Sequence, residues 1–559
     1  MKNMPIGEIL KEDGYITQEQ LQQVLDYQKQ SKSNKRVGEL LIELGYITET
    51  QKLEALGKRL NYPFVQLSTY EINKEAVGEI SKSMANRYSA IPVAVTEGTI
   101  TIAINDPLDF YAIENIEKST GKQVDIILAL NQEIMDAIEY HYSEIDAKMA
   151  AMDINQSFEE EELDFFQDEF AQDEASDVPV VRLLNSLLMK GYSSNVSDIH
   201  IEPFEKETNI RIRIDGMLVP YITVTPNIHQ SLVARTKILA RLDIAEKRVP
   251  QDGHFKVKLE GVELNLRVSV IPTVFGEKVV LRYLNMNANM DNAGTFGMSN
   301  ANYDIFMRIM QNPNGIIYIT GPTGSGKTTT LYMALEYFAQ KPVNISTIED
   351  PVERNLPHIN QMQVNNVAGL TFGTGLRALL RQDPDIIMVG ETRDNETALI
   401  STRAAVTGHL VLSTLHTNDA ISTIVRLRDM GIEDYILSNS LVGVVAQRLA
   451  RKICPNCMES YAPSEDETEQ LGRKIPFLRK GTGCHMCNQT GYKGRIGVHE
   501  VIEIDNVVKK MIADNKPIDN IYQYMQDVKK MKTLKDSMRE LVAEGITTFE
   551  EYVRITYNV

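Results

Sequence analysis

Between residues 210 and 216 the side chains alternate strictly, Ile210-Arg211-Ile212-Arg213-Ile214-Asp215-Gly216. This predicts a strand with one apolar and one cationic face, ending at a glycine turn. The same period of two recurs over 99–104 and in runs at 254–259, 262–270 and 277–284, while Val181–Met189 reads as a helix. Farther on the pattern changes. Ile316-Ile317-Tyr318-Ile319-Thr320, Asp385–Val389 and Leu410–Thr414 are short, almost wholly apolar runs separated by helical stretches. Such runs predict strands buried on both faces, the signature of an α/β nucleotide-binding sheet.

The first sixty residues carry an internal repeat. Gly7 and Gly14, each in an apolar-acidic setting, return as Gly38 and Gly45, a period of 31 residues. Each copy predicts a short helix, a glycine stop, a Thr cap and a second helix. The limits expected from these patterns are an N-terminal domain over 1–145, a linker over 146–177, a second domain over 178–290 and a nucleotide-binding domain over 291–559.

Composition sharpens this picture in two places. The formal charge of the 559 residues is −18, and the eleven acidic side chains of 153–177, with no Lys or Arg among them, carry −11 of it. That segment predicts a solvated linker. An acidic chain also lacks the broad basic face that nucleic-acid phosphates require, so no nucleic-acid partner is expected. A nucleic-acid ring motor and a nucleotide-sensing regulator are the alternatives that the remaining residues leave open. Neither an apolar leader nor an apolar run of membrane-spanning length is present in the sequence. A cytoplasmic location follows as the expectation, with the membrane reached only through partners.

The chemistry is concentrated downstream of residue 320. The strand Ile316–Thr320 runs straight into Gly321-Pro322-Thr323-Gly324-Ser325-Gly326-Lys327-Thr328-Thr329, a P-loop pattern set between a strand and a helix. Its glycines let backbone N–H groups wrap phosphate, Lys327 reaches the β- and γ-phosphates, and the Thr328 hydroxyl is a ligand for Mg²⁺; ATP and Mg²⁺ are the expected cofactors. Two strand ends follow: Glu349, Asp350 and Glu353 after Ile345–Ile348, and Glu391 after Asp385–Val389. Strand C-termini line the ligand crevice of such sheets, so one acid can hold the Mg²⁺ shell while another orients water. His409 and His416 flank Leu410–Thr414 and are candidates for sensing the γ-phosphate, and Arg211 and Arg213 for supplying positive charge to the transition state. All four cysteines fall in two C-x-x-C pairs, Cys454/Cys457 and Cys484/Cys487, which predicts a closed structural Zn²⁺ site inside an insertion over about 451–495.

In this order of motifs the chain resembles the PilB/GspE branch of secretion ATPases over nearly its whole length. The Walker A, Asp box, Walker B and His box of that family match Gly321–Thr329, Thr347–Glu353, Asp385–Glu391 and Gly408–His416. The resemblance implies a multidomain α/β protein: a RecA-like P-loop ATPase domain, a preceding PAS-like N2 domain, an MshEN-like N-terminal domain and a four-Cys zinc finger. It also implies a homohexamer that drives type IV pilus extension or type II pseudopilus assembly, acting on an inner-membrane platform protein beside a cytoplasmic adaptor. Within the site it implies that Glu353 positions water and that Glu391 is the Walker B acid, with Gly390 standing where many P-loop enzymes carry Asp.

The N-terminal repeat resembles the MshEN domain, some members of which bind cyclic di-GMP. Gly7, Gly14, Gln28, Arg36, Gly38 and Gly45 match the motif and are the candidate ligands. Pro5, Lys52 and Arg59 occupy positions where the motif has Arg, Leu and Gln.

Overall fold

The computed structural model describes residues 5–31, 35–67, 70, 72–142, 145, 179–284 and 297–557; the expected acidic linker lies outside them. Four helices, Ile6–Glu12, Gln18–Ser31, Val37–Glu43 and Glu49–Leu60, form the repeat. Gly14 and Gly45 have φ of 78° and 74°, which a side chain would strain, so each ends its helix as the repeat predicts. The helices pack on a core of their own that includes Ile9, Leu10, Leu40 and Leu41. The two copies differ where the chain crosses itself. A Cβ on Gly7 would lie 2.5 Å from Leu21, and on Gly38 it would lie 3.3 Å from the Lys52 stem, so the aliphatic part of lysine replaces leucine there.

A small sheet follows, of strands β1 (Ala90–Val95), β2 (Thr99–Ile104) and β3 (Gln123–Leu128) in the order 1-2-3. A helix over residues 131–142 packs Ile134, Ala137, Ile138 and Tyr142 into the same core.

The second domain is a six-stranded sheet on the helix Pro179–Ser193. Its strands are β4 (Val196–Pro203), β5 (Thr208–Ile214), β6 (Met217–Val224), β7 (Gln251–Leu259), β8 (Val262–Thr273) and β9 (Gly276–Leu284), in the order 6-5-4-9-8-7. The alternation read from the sequence is realised: Ile210 and Ile212 are buried while Arg211 and Arg213 face outward.

The third domain centres on a seven-stranded sheet, order 12-11-13-14-10-15-18. It is built from β10 (Gly315–Thr320), β11 (Ile345–Glu349), β12 (Asn360–Gln363), β13 (Ile386–Val389), β14 (Leu410–Leu415), β15 (Leu441–Ile453) and β18 (Tyr492–Glu503). Only the β15–β18 pair is antiparallel. Every residue of β10, β11, β13 and β14 is buried, which is why those runs carry no alternation. Between β15 and β18 a two-stranded ribbon, β16 (Met458–Tyr461) with β17 (Leu478–Gly481), carries the cysteine pairs.

Candidate active site

Because β10, β11, β13 and β14 are parallel, their C-terminal ends share one edge, and the predicted acids and the P-loop meet there. The loop is shaped by three glycines with φ of 149° at Gly321, 77° at Gly324 and 85° at Gly326. A Cβ at Gly321 would come within 2.3 Å of the Gln447 carbonyl oxygen, so backbone proximity as well as φ demands glycine. Ser325 Oγ is buried without a hydrogen-bond partner among the described residues, and a Cβ at Gly324 would meet open space. An unpaired buried hydroxyl beside an open cradle at a helix N-terminus fits a phosphate chain.

Lys327 Nζ donates to the carbonyls of Gly321 (2.7 Å) and Pro322 (3.0 Å). Burial lowers its pKa to about 8, against the charge of Glu391, which raises it. Thr328 is exposed at the loop, and Glu391 pairs with Arg393 at 2.6 Å. Thr328 and Glu391 are the oxygen donors that fit Mg²⁺ here. At Gly390 a Cβ would sit 3.3 Å from the Glu349 Cα and 3.4 Å from the Ile348 carbonyl oxygen, so an Asp there would need β11 to give by a few tenths of an ångström.

The three acids after β11 have different fates. Glu349 is buried and accepts from Tyr332 (2.5 Å), Thr347 (2.6 Å) and Gln361 (3.1 Å), a full set of partners that makes it a brace for the strand end. Asp350 is exposed. Glu353 is half-buried, with its N–H donating to Tyr332 Oη at 3.1 Å. Burial raises its pKa, and the charges of Arg282 and Arg267 oppose that rise. A carboxylate of raised basicity at this edge suits a water-orienting base.

Within the chain, the arginine charges that bear on Glu353 are those of Arg282 and Arg267, while Arg211 and Arg213 are held on their own sheet. Arg211 is bound to Glu202 at 2.6 Å, and Arg213 lies 3.4 Å from Asp198, both on their own sheet. Cross-strand register places Arg213, Asp198, Arg282 and Arg267 in one row over β5, β4, β9 and β8. Arg282 also binds Asp198 at 2.7 Å. Arg267 and Arg282 stand directly opposite each other, an arrangement that costs stability unless an anion faces it.

The two histidines separate. His416 follows β14 at the P-loop edge, and its pKa is lowered by burial and then by Lys327. His409 precedes β14 at the other edge, its Nδ1 3.0 Å from the Ala404 carbonyl. The six residues of β14 put roughly 20 Å between the two, so within one chain only His416 stands at the P-loop edge.

One site residue carried no sequence motif. Gln447 on β15 donates to the Ser325 carbonyl (2.9 Å) and accepts from Thr330 Oγ1 (2.8 Å), clamping the loop to its helix from the side away from the acids. On that same side a cavity of about 770 Å³ opens, lined by Gly326, Thr329, Thr330, Gln447, Leu449 and Arg495. The β/γ end of a bound nucleotide belongs with Lys327 and the acids on the β14–β13–β11 side. The opposite, β15–β18 side is therefore where its nucleoside would extend.

The four cysteines converge as expected. Cys454, Cys457, Cys484 and Cys487 are buried and their sulfurs lie within 4.8 Å of one another, with pairs at 3.7 to 3.9 Å. A tetrahedron with Zn–S near 2.3 Å has edges of about 3.8 Å, so the donor set fits zinc. The N–H groups of Gly483, Cys484 and Gly491 point at sulfur from 3.2 to 3.3 Å, as thiolate ligands require.

In the N-terminal repeat Arg36 Nη1 donates to both carboxylate oxygens of Asp106 (2.8 and 2.9 Å), and Gln28 donates to the Lys35 carbonyl at 2.8 Å. Two of the candidate dinucleotide ligands are thus already engaged.

Comparison with known proteins gives the same outline. The family described as Type II/IV secretion system protein matches residues 173–554, and the MshEN domain matches 60–148. The helical repeat therefore lies ahead of the matched MshEN range. The type IV pilus assembly ATPase PilB of Myxococcus xanthus is 38% identical over 560 residues, covering 98% of each chain. The type II secretion system ATPase E of Vibrio cholerae is 44% identical over 393 residues, covering 70% of this chain and 78% of its own. Among solved structures, the Legionella pneumophila ATPase DotB aligns with a TM-score of 0.50 at 21% identity, covering 67% of this chain and 95% of its own, a likeness of fold.

Proposed function

Because the chain belongs to the Type II/IV secretion system protein family, we propose that it is the ATP-hydrolysing motor that extends a type IV pilus, or does the equivalent work in type II secretion. The end-to-end match to a PilB relative, against 70% coverage by the type II relative, favours the pilus. The working unit in this reading is a homohexamer at the inner face of the cytoplasmic membrane. It acts through an inner-membrane platform protein and a cytoplasmic adaptor. No helix among the described residues is long and apolar enough to cross a membrane.

The reading is supported by Glu353 at the strand-end edge beside the P-loop, where burial raises its pKa and the charges of Arg282 and Arg267 on the second domain lower it. In it the P-loop amides and Lys327 hold the phosphates. Thr328 and, through water, Glu391 would hold Mg²⁺, which would supply positive charge to the phosphates. Glu353 orients the attacking water and takes up its proton, and its burial makes it basic enough to do so. Arg267 and Arg282 lie on a separate domain, so the change in charge at the γ-position is felt as a pull on that domain, which is how hydrolysis becomes movement. Cyclic di-GMP, acting on the N-terminal domain through Gly7, Gly14, Gln28, Arg36, Gly38 and Gly45, is the proposed regulator.

The test is Mg²⁺-dependent ATP hydrolysis by the full chain beside Glu353→Gln, each with and without cyclic di-GMP. Hydrolysis is expected to fall by roughly 10²- to 10⁴-fold in the variant while ATP still binds. Equal hydrolysis by the two proteins would remove Glu353 from its role.

A further inference from the structure

The cavity beside the P-loop has an outer wall that comes from neither the ATPase sheet nor its helix. Asp136, Glu139 and Tyr140 of the helix over residues 131–142 line it, together with Lys190 and Asn195 at the end of the second domain's first helix. The Lys190 ammonium sits 4.8 Å from the centre of the Tyr140 ring, and Lys190 is only 4% exposed. A desolvated ammonium against a tyrosine face is a strong form of this contact.

The helix that presents Tyr140 moves with its own domain. Tyr142 Oη donates to the Ile80 carbonyl at 2.9 Å, Glu133 accepts from the Leu67 N–H at 3.0 Å, and the apolar side of the helix is buried in the N-terminal core. Displacing that domain therefore withdraws Asp136, Glu139 and Tyr140 together, and leaves the cavity open on that side. The Asp136 carboxylate, which accepts from Gln132 through Oδ1 at 3.0 Å, is an acceptor suited to ribose hydroxyls or an exocyclic amine, while Glu139 pairs with Lys82 at 3.5 Å.

We propose that the N-terminal domain closes the nucleoside end of the ATP site, with the Tyr140–Lys190 contact as its clasp, and so sets the rate at which ADP leaves. This rests on the reading of the P-loop as an ATP site. It gives the N-terminal domain a direct route to the motor: whatever ligand or partner moves the domain changes nucleotide exchange without touching Glu353 or Lys327. Tyr140 in this scheme is a positioning residue, remote from the reacting phosphate.

The test uses the full chain and a fluorescent N-methylanthraniloyl ADP, following its release by stopped flow when chased with ATP. Tyr140→Ala is expected to speed release about tenfold and to raise the KM for ATP by a similar factor, with kcat equal to or above wild type. Tyr140→Phe keeps the ring against Lys190 and should release ADP more slowly than Tyr140→Ala, which separates the clasp from a general loss of packing. Asp136→Ala, which leaves the ring contact in place, provides a second probe of the wall if Tyr140→Ala fails to fold, with faster release again expected. Release within twofold of wild type in the folded Tyr140→Ala or Asp136→Ala protein would overturn the proposal while leaving the ATP site intact. Failure of the unaltered chain to bind the probe would overturn both.

Discussion

Gln447 offers the most direct check on how the P-loop is held. Its amide spans the Ser325 carbonyl and the Thr330 hydroxyl at 2.9 and 2.8 Å, and the side chain is 3% exposed. Gln447→Leu keeps the volume and deletes both bonds. Each is a neutral pair worth about 1 kcal/mol net, and Thr330 Oγ1 keeps only its long bond to the Gly326 carbonyl (3.4 Å) once they are gone. The neighbouring cavity can admit water to both groups while the loop is empty, so the stability of the free protein should fall by little. With nucleotide bound, the loop must hold its wrapped shape without its clamp. A cost of about 2 kcal/mol then appears as a roughly 30-fold rise in the Kd for ADP. Thr330→Val, which removes one bond of the two, should give roughly fivefold. Calorimetric titration with ADP, beside thermal melts of the free proteins, measures both quantities. If Gln447→Leu bound ADP within twofold of wild type, the loop would not depend on its clamp and this reasoning would be wrong.

Other consequences are open to measurement. Removing Arg282, whose charge lowers the pKa of Glu353, should move the acid limb of kcat/KM for ATP to higher pH in Arg282→Gln; a limb that stays in place would mean that the two charges do not communicate. The chain should carry one Zn²⁺ by elemental analysis, and Cys457→Ser should lose it and lower the melting temperature. A zinc-free wild type with unchanged melting would refute the site. Glu500 is buried, accepts from the Ala420 and Leu534 N–H groups, and has its pKa raised to about 7 by burial. A carboxyl with a raised folded pKa contributes stability that is complete below its unfolded value and lost as pH rises through the folded one. Wild type should therefore lose roughly 2–3 kcal/mol relative to Glu500→Gln between pH 5 and pH 8, and a pH-independent difference would contradict the shift. Asp106→Ala removes the carboxylate that holds Arg36 and should tighten cyclic di-GMP binding if that ligand uses Arg36; unchanged affinity in calorimetry would take Arg36 out of the site.

What the sequence disclosed and what it hid divide along a physical line. The P-loop, the strand-end acids and the paired cysteines are legible because a few adjacent residues determine each geometry. The buried strands were legible from apolar runs for the same reason. The arginines were not. Arg267 alternates with Leu266 and Val268 just as Arg211 alternates with Ile210 and Ile212, so periodicity placed both on outward faces without saying which face meets the ATPase domain. A signal did exist in the acids of Ser197–Glu202, because antiparallel pairing sets Asp198 opposite Arg213 and puts Glu202 within reach of Arg211. The separation of His409 from His416 was hidden for a simpler reason. Proximity in sequence to a strand says nothing about which end of it a residue occupies, and in a parallel sheet the two ends differ in everything that matters. Gln447 had no local signature at all, since its partners are more than a hundred residues away.

The placement of the second domain joins these parts into one device. It is hydrogen-bonded to the ATPase domain near the nucleoside cavity and bears on Glu353 by charge alone. Near the nucleoside cavity, Asp215 accepts from the Gly494 N–H at 2.7 Å and lies 3.4 Å from Arg495. On the phosphate side, Arg267 and Arg282 bring their charge to bear on Glu353. The first contact is a buried-edge hydrogen bond that does not depend on the phosphates. The second is purely electrostatic and sums over every charge near Glu353. Loss of the γ-phosphate therefore weakens only one of the two attachments. A body held firmly at one point and variably at another rotates about the firm one, and Asp215 with Gly494 is the natural hinge. Asp215→Ala should then uncouple hydrolysis from movement: basal ATP turnover of the isolated protein persists, while pilus extension in cells is lost. Retention of extension by a stably expressed Asp215→Ala protein would place the pivot elsewhere.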